Sequence, residues 1–151
     1  MESSTLNEEE LLSRQLKMLV DEYFLLFGNE EKRQDLLQFL QINDCRELIS
    51  KCFDGDSLSN AFVLGGGRKH LDILQAFLDH GMNADTKNHH GWTALMYASS
   101  YDSKEIVQLL FDHNANIDLK NKKGETVLEL AATEEIKEMI QNHVTTSYVL
   151  K

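Results

Sequence analysis

The chain has 151 residues, of which 42% are hydrophobic and 26% charged, and its formal net charge is −10 at pH 7. This composition predicts one soluble globular domain, and the negative charge argues against nucleic-acid binding, which depends on clustered Lys and Arg. No signal peptide or apolar run of membrane-spanning length is apparent, so we expect a cytoplasmic protein with no stable membrane association.

The first predicted element is an amphipathic helix. Thr5-Leu6-Asn7-Glu8 offers a capping box for its start, and apolar residues at helical spacing continue to Gly28, where the helix is expected to end. Its apolar face is expected to pack against the rest of the chain. A membrane-surface helix is the less favoured alternative, because the polar face carries Glu, Asp and Gln more than Lys and Arg.

Two more helices are predicted in the N-terminal part of the chain. Asn29 can cap the second, and the third carries Cys45 and Cys52 on one face with other apolar residues. The two cysteines lie about two helical turns apart, too far for a disulfide, so buried reduced thiols are expected. We interpret residues 1–56 as an N-terminal helical cap that includes a degenerate repeat.

The second half of the chain repeats itself. Gly91 and Gly124 lie 33 residues apart, and a period of this length predicts a stack of helical repeats. The same offset pairs Lys87 with Lys120, Asn88 with Asn121, Thr93 with Thr126, Leu95 with Leu128 and Ala98 with Ala131.

The repeated segments resemble a known family. GWTALMYA and GETVLELAA resemble the GxTPLHxAA opening of an ankyrin repeat, and KEIVQLLFDHNANID resembles its second helix and exit. The resemblance implies an all-α ankyrin repeat stack, in which helix-turn-helix repeats are joined by finger turns, with an N-terminal helical extension. We expect about three repeats within residues 57–143, at 57–87, 88–120 and 121–143, followed by a tail at 144–151. Three alternatives are open for the tail: a frayed end, packing on the last helix, or a strand offered to a partner.

Individual residues support this organisation. Gly91 allows a positive φ in the tight turn, Thr93 can hydrogen-bond local backbone at the start of the next helix, and Asn114 stands at the usual C-cap glycine. In the last repeat, Ile136 follows Ile106, its counterpart in the preceding repeat, by 30 rather than 33 residues. A tight join between two helices is therefore expected at Thr133–Glu135.

The repeat at 57–87 departs most from the family pattern. Leu58 stands where the turn glycine belongs, and Gly65-Gly66-Gly67 replaces small residues at the helix end. Phosphate binding by GGGRKH is an alternative that we considered, but no strand precedes it and no Lys-Ser or Lys-Thr ends it. A flexible turn between helices is the expected role.

No catalytic, cofactor or metal site is predicted, and we expect the protein not to be an enzyme. His80, His113 and His143 recur at equivalent repeat positions, but helices of adjacent repeats lie about 8–10 Å apart, and zinc requires ligand atoms at about 2.1 Å. These histidines are expected in the last turns of their helices, where a positive charge favours the helix dipole.

The resemblance implies a protein-binding face made of the finger tips and the ends of the inner helices. Trp92, beside the turn glycine, is expected to be substantially exposed, with packing over the neighbouring finger as the alternative, and Trp92 and Tyr101 are expected to anchor a partner. Lysines on the fingers imply an acidic partner surface. The residues implied are His89, His90, Trp92, Ser100, Tyr101, His113, Lys122, Lys123 and Glu125.

The expected function is therefore non-catalytic protein recognition by a monomer. An adaptor or a secreted effector, which would act in a host cytosol, fits a short repeat protein with its own helical extension. An inhibitor or immunity protein that neutralises a toxin or enzyme is an alternative that fits the small size and acidic body. A membrane-peripheral role for the N-terminal helix is a third possibility.

Overall fold

The computed structural model describes residues 7–25, 29–52 and 70–149. Within these ranges the chain is helical, and the only β interaction is one isolated bridge between Lys87 and Thr93. The predicted all-α class is confirmed. The helices are α1 (Glu8–Leu25), α2 (Glu30–Ile42), α3 (Arg46–Cys52), α4 (Leu71–Asp79), α5 (Ala94–Ser100), α6 (Lys104–Asp112), α7 (Val127–Leu130) and α8 (Glu134–Val149).

Some expectations concern residues outside the described ranges. They are the end of the first helix at Gly28, the departures at Leu58 and Gly65–Gly67, and the first helix of the repeat at 57–87. The division of the chain into a cap, three repeats and a tail stays a prediction.

The start of α1 differs from the predicted one. A reciprocal capping box joins Asn7 and Glu10: the Glu10 N–H donates to Asn7 Oδ1 at 2.7 Å, and the Asn7 N–H donates to Glu10 Oε2 at 3.1 Å. This box lies two residues after the expected one, whose Thr5 is outside the described ranges. Asn is as good an N-cap as Thr, and Glu10 has the required spacing. Asn29 caps α2 as predicted.

The turns of the repeats have the predicted backbone. Gly91 and Gly124 have φ values of 74° and 81°, and Asn114 adopts the left-handed region with φ 59°. The Thr93 side chain accepts a hydrogen bond from the Met96 N–H at 3.3 Å and so caps α5. The sequence therefore correctly predicts the turn backbone at Gly91 and Gly124 and the cap of α5.

One hydrophobic core runs through the described chain from Leu16 in α1 to Ile140 in α8. Helix α1 packs on α2 and α3, α2 packs against α4, α4 against α6, and α5 against both α6 and α7. The fully buried Tyr23 hydrogen-bonds through its hydroxyl with His70, which precedes α4. The N-terminal helices thus share a core with the repeats.

The last repeat is compact, as its shortened sequence predicts. Helix α7 has four residues, and α8 begins at Glu134 after a short join in which the Thr133 hydroxyl donates to Asp102 at 3.0 Å. Helix α8 continues past His143 to Val149, so the described part of the predicted tail is helical. The residues after His143 include no Gly or Pro, which would favour an end to the helix. The His143 ring stacks on the Phe111 ring, with 4.0 Å between the ring centroids.

Ser99 is a polar residue in an apolar place. It is fully buried in α5, and within the described structure its hydroxyl has no hydrogen-bond partner. The ankyrin pattern has alanine at this position. An unpaired buried hydroxyl costs about 1–3 kcal/mol, so we expect Ser99→Ala to raise the free energy of unfolding by about 1 kcal/mol in urea denaturation.

Ser100→Ala is the matched control for this substitution. The Ser100 hydroxyl is half-buried and donates to the Tyr97 carbonyl oxygen at 3.0 Å, so its removal should change the free energy of unfolding by no more than about 0.5 kcal/mol. A clear loss of stability in Ser99→Ala would show that the Ser99 hydroxyl is paired after all.

Candidate functional site

The finger of the central repeat, from Lys87 to Thr93, is organised by one buried asparagine. Asn88 Oδ1 accepts hydrogen bonds from the His90 and Trp92 N–H groups, both at 3.0 Å. The Asn88 N–H donates to the Trp92 carbonyl at 3.0 Å, and the Gly91 N–H donates to the Asn88 carbonyl at 2.9 Å. This network fixes the turn that carries Trp92.

The finger of the last repeat, from Lys120 to Thr126, has the same network. Asn121 Oδ1 accepts from the N–H groups of Lys123 at 2.9 Å and of Glu125 at 3.0 Å. The Asn121 side chain also donates to the Glu125 carboxylate at 2.8 Å. Glu125 is therefore engaged inside its own finger.

The two fingers are joined to each other. The Lys122 N–H donates to the His90 carbonyl at 3.2 Å, and Lys87 Nζ donates to the Lys120 carbonyl at 3.1 Å. A Cβ at Gly91 would lie 2.9 Å from the Lys122 backbone nitrogen. The fingers thus form one continuous edge, in which their backbones are joined to each other.

A row of three aromatic rings follows the central finger onto α5. The Trp92 and Tyr97 ring centroids are 4.6 Å apart, and those of Tyr97 and Tyr101 are 6.3 Å apart with the rings 16° from parallel. Trp92 and Tyr97 also pack against the core, whereas Tyr101 is 60% exposed at the C-cap of α5. We call these three residues the aromatic row.

Trp92 differs from its expectation. It is half-buried rather than substantially exposed, because its ring lies against Tyr97 within its own repeat. Tyr97 is absent from the sequence-predicted set, although it is central to the row. Its spacing was the available signal, since Tyr97 and Tyr101 are four residues apart and so share one face of a helix.

The other predicted residues lie in different surroundings. His89 and His90 are exposed on the central finger, with ring centroids 3.9 Å apart, and Lys122 and Lys123 are exposed on the next finger. Ser100 is half-buried beside the aromatic row. His113 belongs to the C-cap of α6, the second helix of the repeat, which separates it from the finger and first-helix residues along the chain.

Charges beside the last finger are locally paired. Backbone and side-chain hydrogen bonds from Thr126 lower the pKa of Glu129, which completes the capping box of α7. A hydrogen bond to Glu135 raises the pKa of Lys104, and this pair ties α6 to α8. The finger lysines Lys120, Lys122 and Lys123 are exposed beside these pairs.

The described residues offer a surface for contact. Within residues 7–25, 29–52 and 70–149, no three His, Cys, Asp or Glu side chains are grouped so that they could hold a metal ion. None of the helices in those ranges combines the length and apolar character needed to span a membrane. The finger edge and the aromatic row together form what we call the recognition face.

Comparisons with known proteins agree with this architecture. A family model described as ankyrin repeats, in three copies, matches residues 26–121 and 67–142. Among 158 similar chains of solved structures is one from the crystal structure of the ankyrin repeat domain of Bcl-3, described as a unique member of the IkappaB protein family. It is 25% identical with a TM-score of 0.52, and the match covers 54% of this chain and 36% of that one. No curated protein gives a significant match.

Proposed function

The chain belongs to the ankyrin repeat family, and from this premise we propose that it is a non-catalytic protein-recognition module that binds its partner through the recognition face. Ankyrin repeats are generally protein–protein interaction modules, and stacked repeats present a continuous surface for that purpose. The aromatic row beside the finger edge is the observation that carries the proposal.

The aromatic row suits the centre of an interface. Trp and Tyr are enriched among the residues that supply most of the binding energy, because their rings bury a large area and lose little side-chain freedom. Packing of Trp92 on Tyr97 holds both rings in place before a partner arrives, which reduces the entropy lost on binding. Tyr101, the most exposed of the three, is the residue best placed to enter a pocket of the partner.

The charge of the finger edge indicates the chemistry of the partner. The exposed lysines Lys87, Lys120, Lys122 and Lys123 lie along this edge, although the whole chain has a net charge of −10. The nearby Glu125 carboxylate accepts a hydrogen bond from Asn121 within the finger. A partner that places carboxylates opposite the finger edge would therefore be attracted and oriented.

We favour a cytoplasmic, monomeric adaptor or a secreted effector over an inhibitor of a toxin or enzyme. An adaptor needs a preformed surface, which the recognition face supplies. The partner distinguishes these roles, because an inhibitor must cover the active site of its target. The similar Bcl-3 structure supports the fold of the repeats, and its partners are not carried over, since the match covers only 36% of that chain.

The test is capture of the partner by the intact protein and by two variants. The double variant Trp92→Ala/Tyr101→Ala should lose the partner captured by the wild type. Tyr101→Ala alone changes an exposed side chain and should weaken binding about thirtyfold, which corresponds to about 2 kcal/mol for a central interface residue. Quantitative pull-down followed by calorimetry measures both effects.

A matched control lies on α6, the second helix of the central repeat. Gln108 is exposed on α6, away from the aromatic row, and Gln108→Ala should retain full binding. Circular dichroism should show the same helical spectrum for wild type and Tyr101→Ala. Retention of every captured partner by the double variant would show that the recognition face is not the binding site.

A further inference from the structure

A groove follows the N-terminal half of α1, on a part of the molecule separate from the recognition face. It consists of two cavities of about 360 Å³ and 330 Å³ that share Leu12 as a lining residue. One wall is α1, where Glu8, Leu12, Gln15 and Leu19 recur at spacings of four, three and four, so they form one stripe of the helix. The other wall is the end of α2 and the start of α3. We call this the α1 groove.

One end of the α1 groove combines apolar and polar side chains. Its polar lining residues are Gln15, Asp35, Gln38 and Asn43. Leu12 and Leu19 are half-buried along its α1 side, and Phe39 lies beneath them with only 7% of its surface exposed. At the rim, Ile42 is 73% exposed in the last turn of α2. Exposed apolar side chains that border a cavity are typical of binding sites for another apolar side chain.

The other end is acidic. Glu8, Glu9, Asp44 and Glu47 line the second cavity together with Leu12 and Leu48. Two of these carboxylates come from α1, Asp44 comes from the α2–α3 connection and Glu47 from the first turn of α3, so the fold brings them together from three segments. The groove therefore changes along its length from a mixed apolar and polar lining to a negatively charged one.

We propose that the α1 groove binds an amphipathic helix of a protein partner, with apolar side chains in the Leu12–Phe39 end and Lys or Arg side chains at the Glu8–Asp44 end. From Glu8 to Leu19 the groove spans about 17 Å, which is about three turns of helix. Such a helix presents apolar residues at i, i+4 and i+7 to a groove. This site is independent of the proposed function of the recognition face.

Charge complementarity favours this occupant over others. An anionic membrane surface would be repelled by the acidic end, because binding to such surfaces depends on Lys and Arg. A second copy of the chain would bring the same net charge of −10 to the contact. A helix with basic residues after its apolar stripe matches both ends of the groove at once.

The probe is a synthetic helical peptide of about 15 residues, roughly the length that spans the groove with one turn to spare. It carries leucines at i, i+4 and i+7 and lysines in the following turn, and its binding to the full chain is measured by fluorescence anisotropy. Ile42→Asp should weaken binding at least about tenfold. Glu8→Gln/Asp44→Asn should weaken it about fivefold and reduce its dependence on salt.

Two controls distinguish binding in the α1 groove from nonspecific electrostatic attraction and from binding at the recognition face. A peptide in which the leucines are serines keeps the charge and should not bind measurably. Tyr101→Ala should bind the leucine peptide as the wild type does, so failure of the recognition-face proposal leaves this result unchanged. Ile42 and Glu8 are exposed, so their variants should keep the wild-type circular dichroism spectrum.

Four outcomes would overturn the proposal. They are equal binding of the serine peptide, unchanged binding by Ile42→Asp, a dimer in sedimentation that Ile42→Asp dissociates, and binding to phosphatidylserine-containing vesicles that Ile42→Asp abolishes. The last two would assign the groove to a second copy of the chain or to a membrane surface.

Discussion

Gly91→Ala should lower the free energy of unfolding by about 2–5 kcal/mol, as measured by urea denaturation. Gly91 has φ 74°, a left-handed conformation that costs an L-residue about 1–2 kcal/mol. An added Cβ would also lie 2.9 Å from the Lys122 nitrogen and 3.3 Å from two Asn121 backbone atoms. Because these are backbone atoms, the two fingers must separate, which adds an overpacking cost of about 1–3 kcal/mol.

Gly124→Ala provides the matched comparison. Gly124 occupies the equivalent position of the last finger with φ 81°, but a Cβ there would meet nothing within 4 Å. It should show the backbone cost alone, about 1–2 kcal/mol. Equal losses in the two variants would mean that contact between the fingers does not restrict Gly91, and the finger edge would then not be a rigid unit.

The fold was predictable where the sequence repeats. The 33-residue offset between Gly91 and Gly124 identified both finger turns, and both glycines have the positive φ that the pattern requires. The short join before α8 was predictable because Ile136 follows its counterpart Ile106 by 30 residues, three fewer than the repeat period. The extent of α8 was not predictable in this way, because β-branched residues at 144–146 lower helix propensity only slightly, whereas stacking of His143 on Phe111 depends on the folded structure.

The recognition face was predictable in part. The repeat register placed the finger residues, but it gave no measure of how deeply Trp92 is buried, because that depends on the ring of Tyr97. Position within a repeat also grouped His113 with the finger residues, whereas it caps the second helix. Side-chain packing between neighbouring residues, rather than the period, decides these details.

The α1 groove was not visible in the sequence for a related reason. The apolar stripe of α1 predicts one buried face, and Leu16, Val20 and Tyr23 are fully buried on it. Leu12 and Leu19 belong to the edge of the same stripe, and only the placement of α2 beside them leaves that edge open. Helical periodicity identifies which residues are apolar, but not which of them a neighbouring helix covers.

Leu36→Ala should destabilise the central repeat as well as the N-terminal helices. Leu36 is fully buried in α2, and its truncation should cost about 2–5 kcal/mol through the lost burial and the cavity that remains. Helix α2 packs against α4, and one core continues from there through the repeats. The chain has a single tryptophan, Trp92, so its fluorescence reports unfolding of the central repeat specifically.

In urea denaturation, Leu36→Ala should shift the Trp92 fluorescence transition and the circular dichroism transition to lower urea by the same amount. Stacked repeats are coupled through the interfaces between neighbours, so a cavity in α2 weakens the whole array only if the α2–α4 interface is strong. Ile42→Ala on the same helix is the control, because Ile42 is 73% exposed and its truncation should change stability by about 0.5 kcal/mol or less. An unchanged Trp92 transition in Leu36→Ala would mean that the N-terminal helices unfold separately from the repeats, despite the core that joins them.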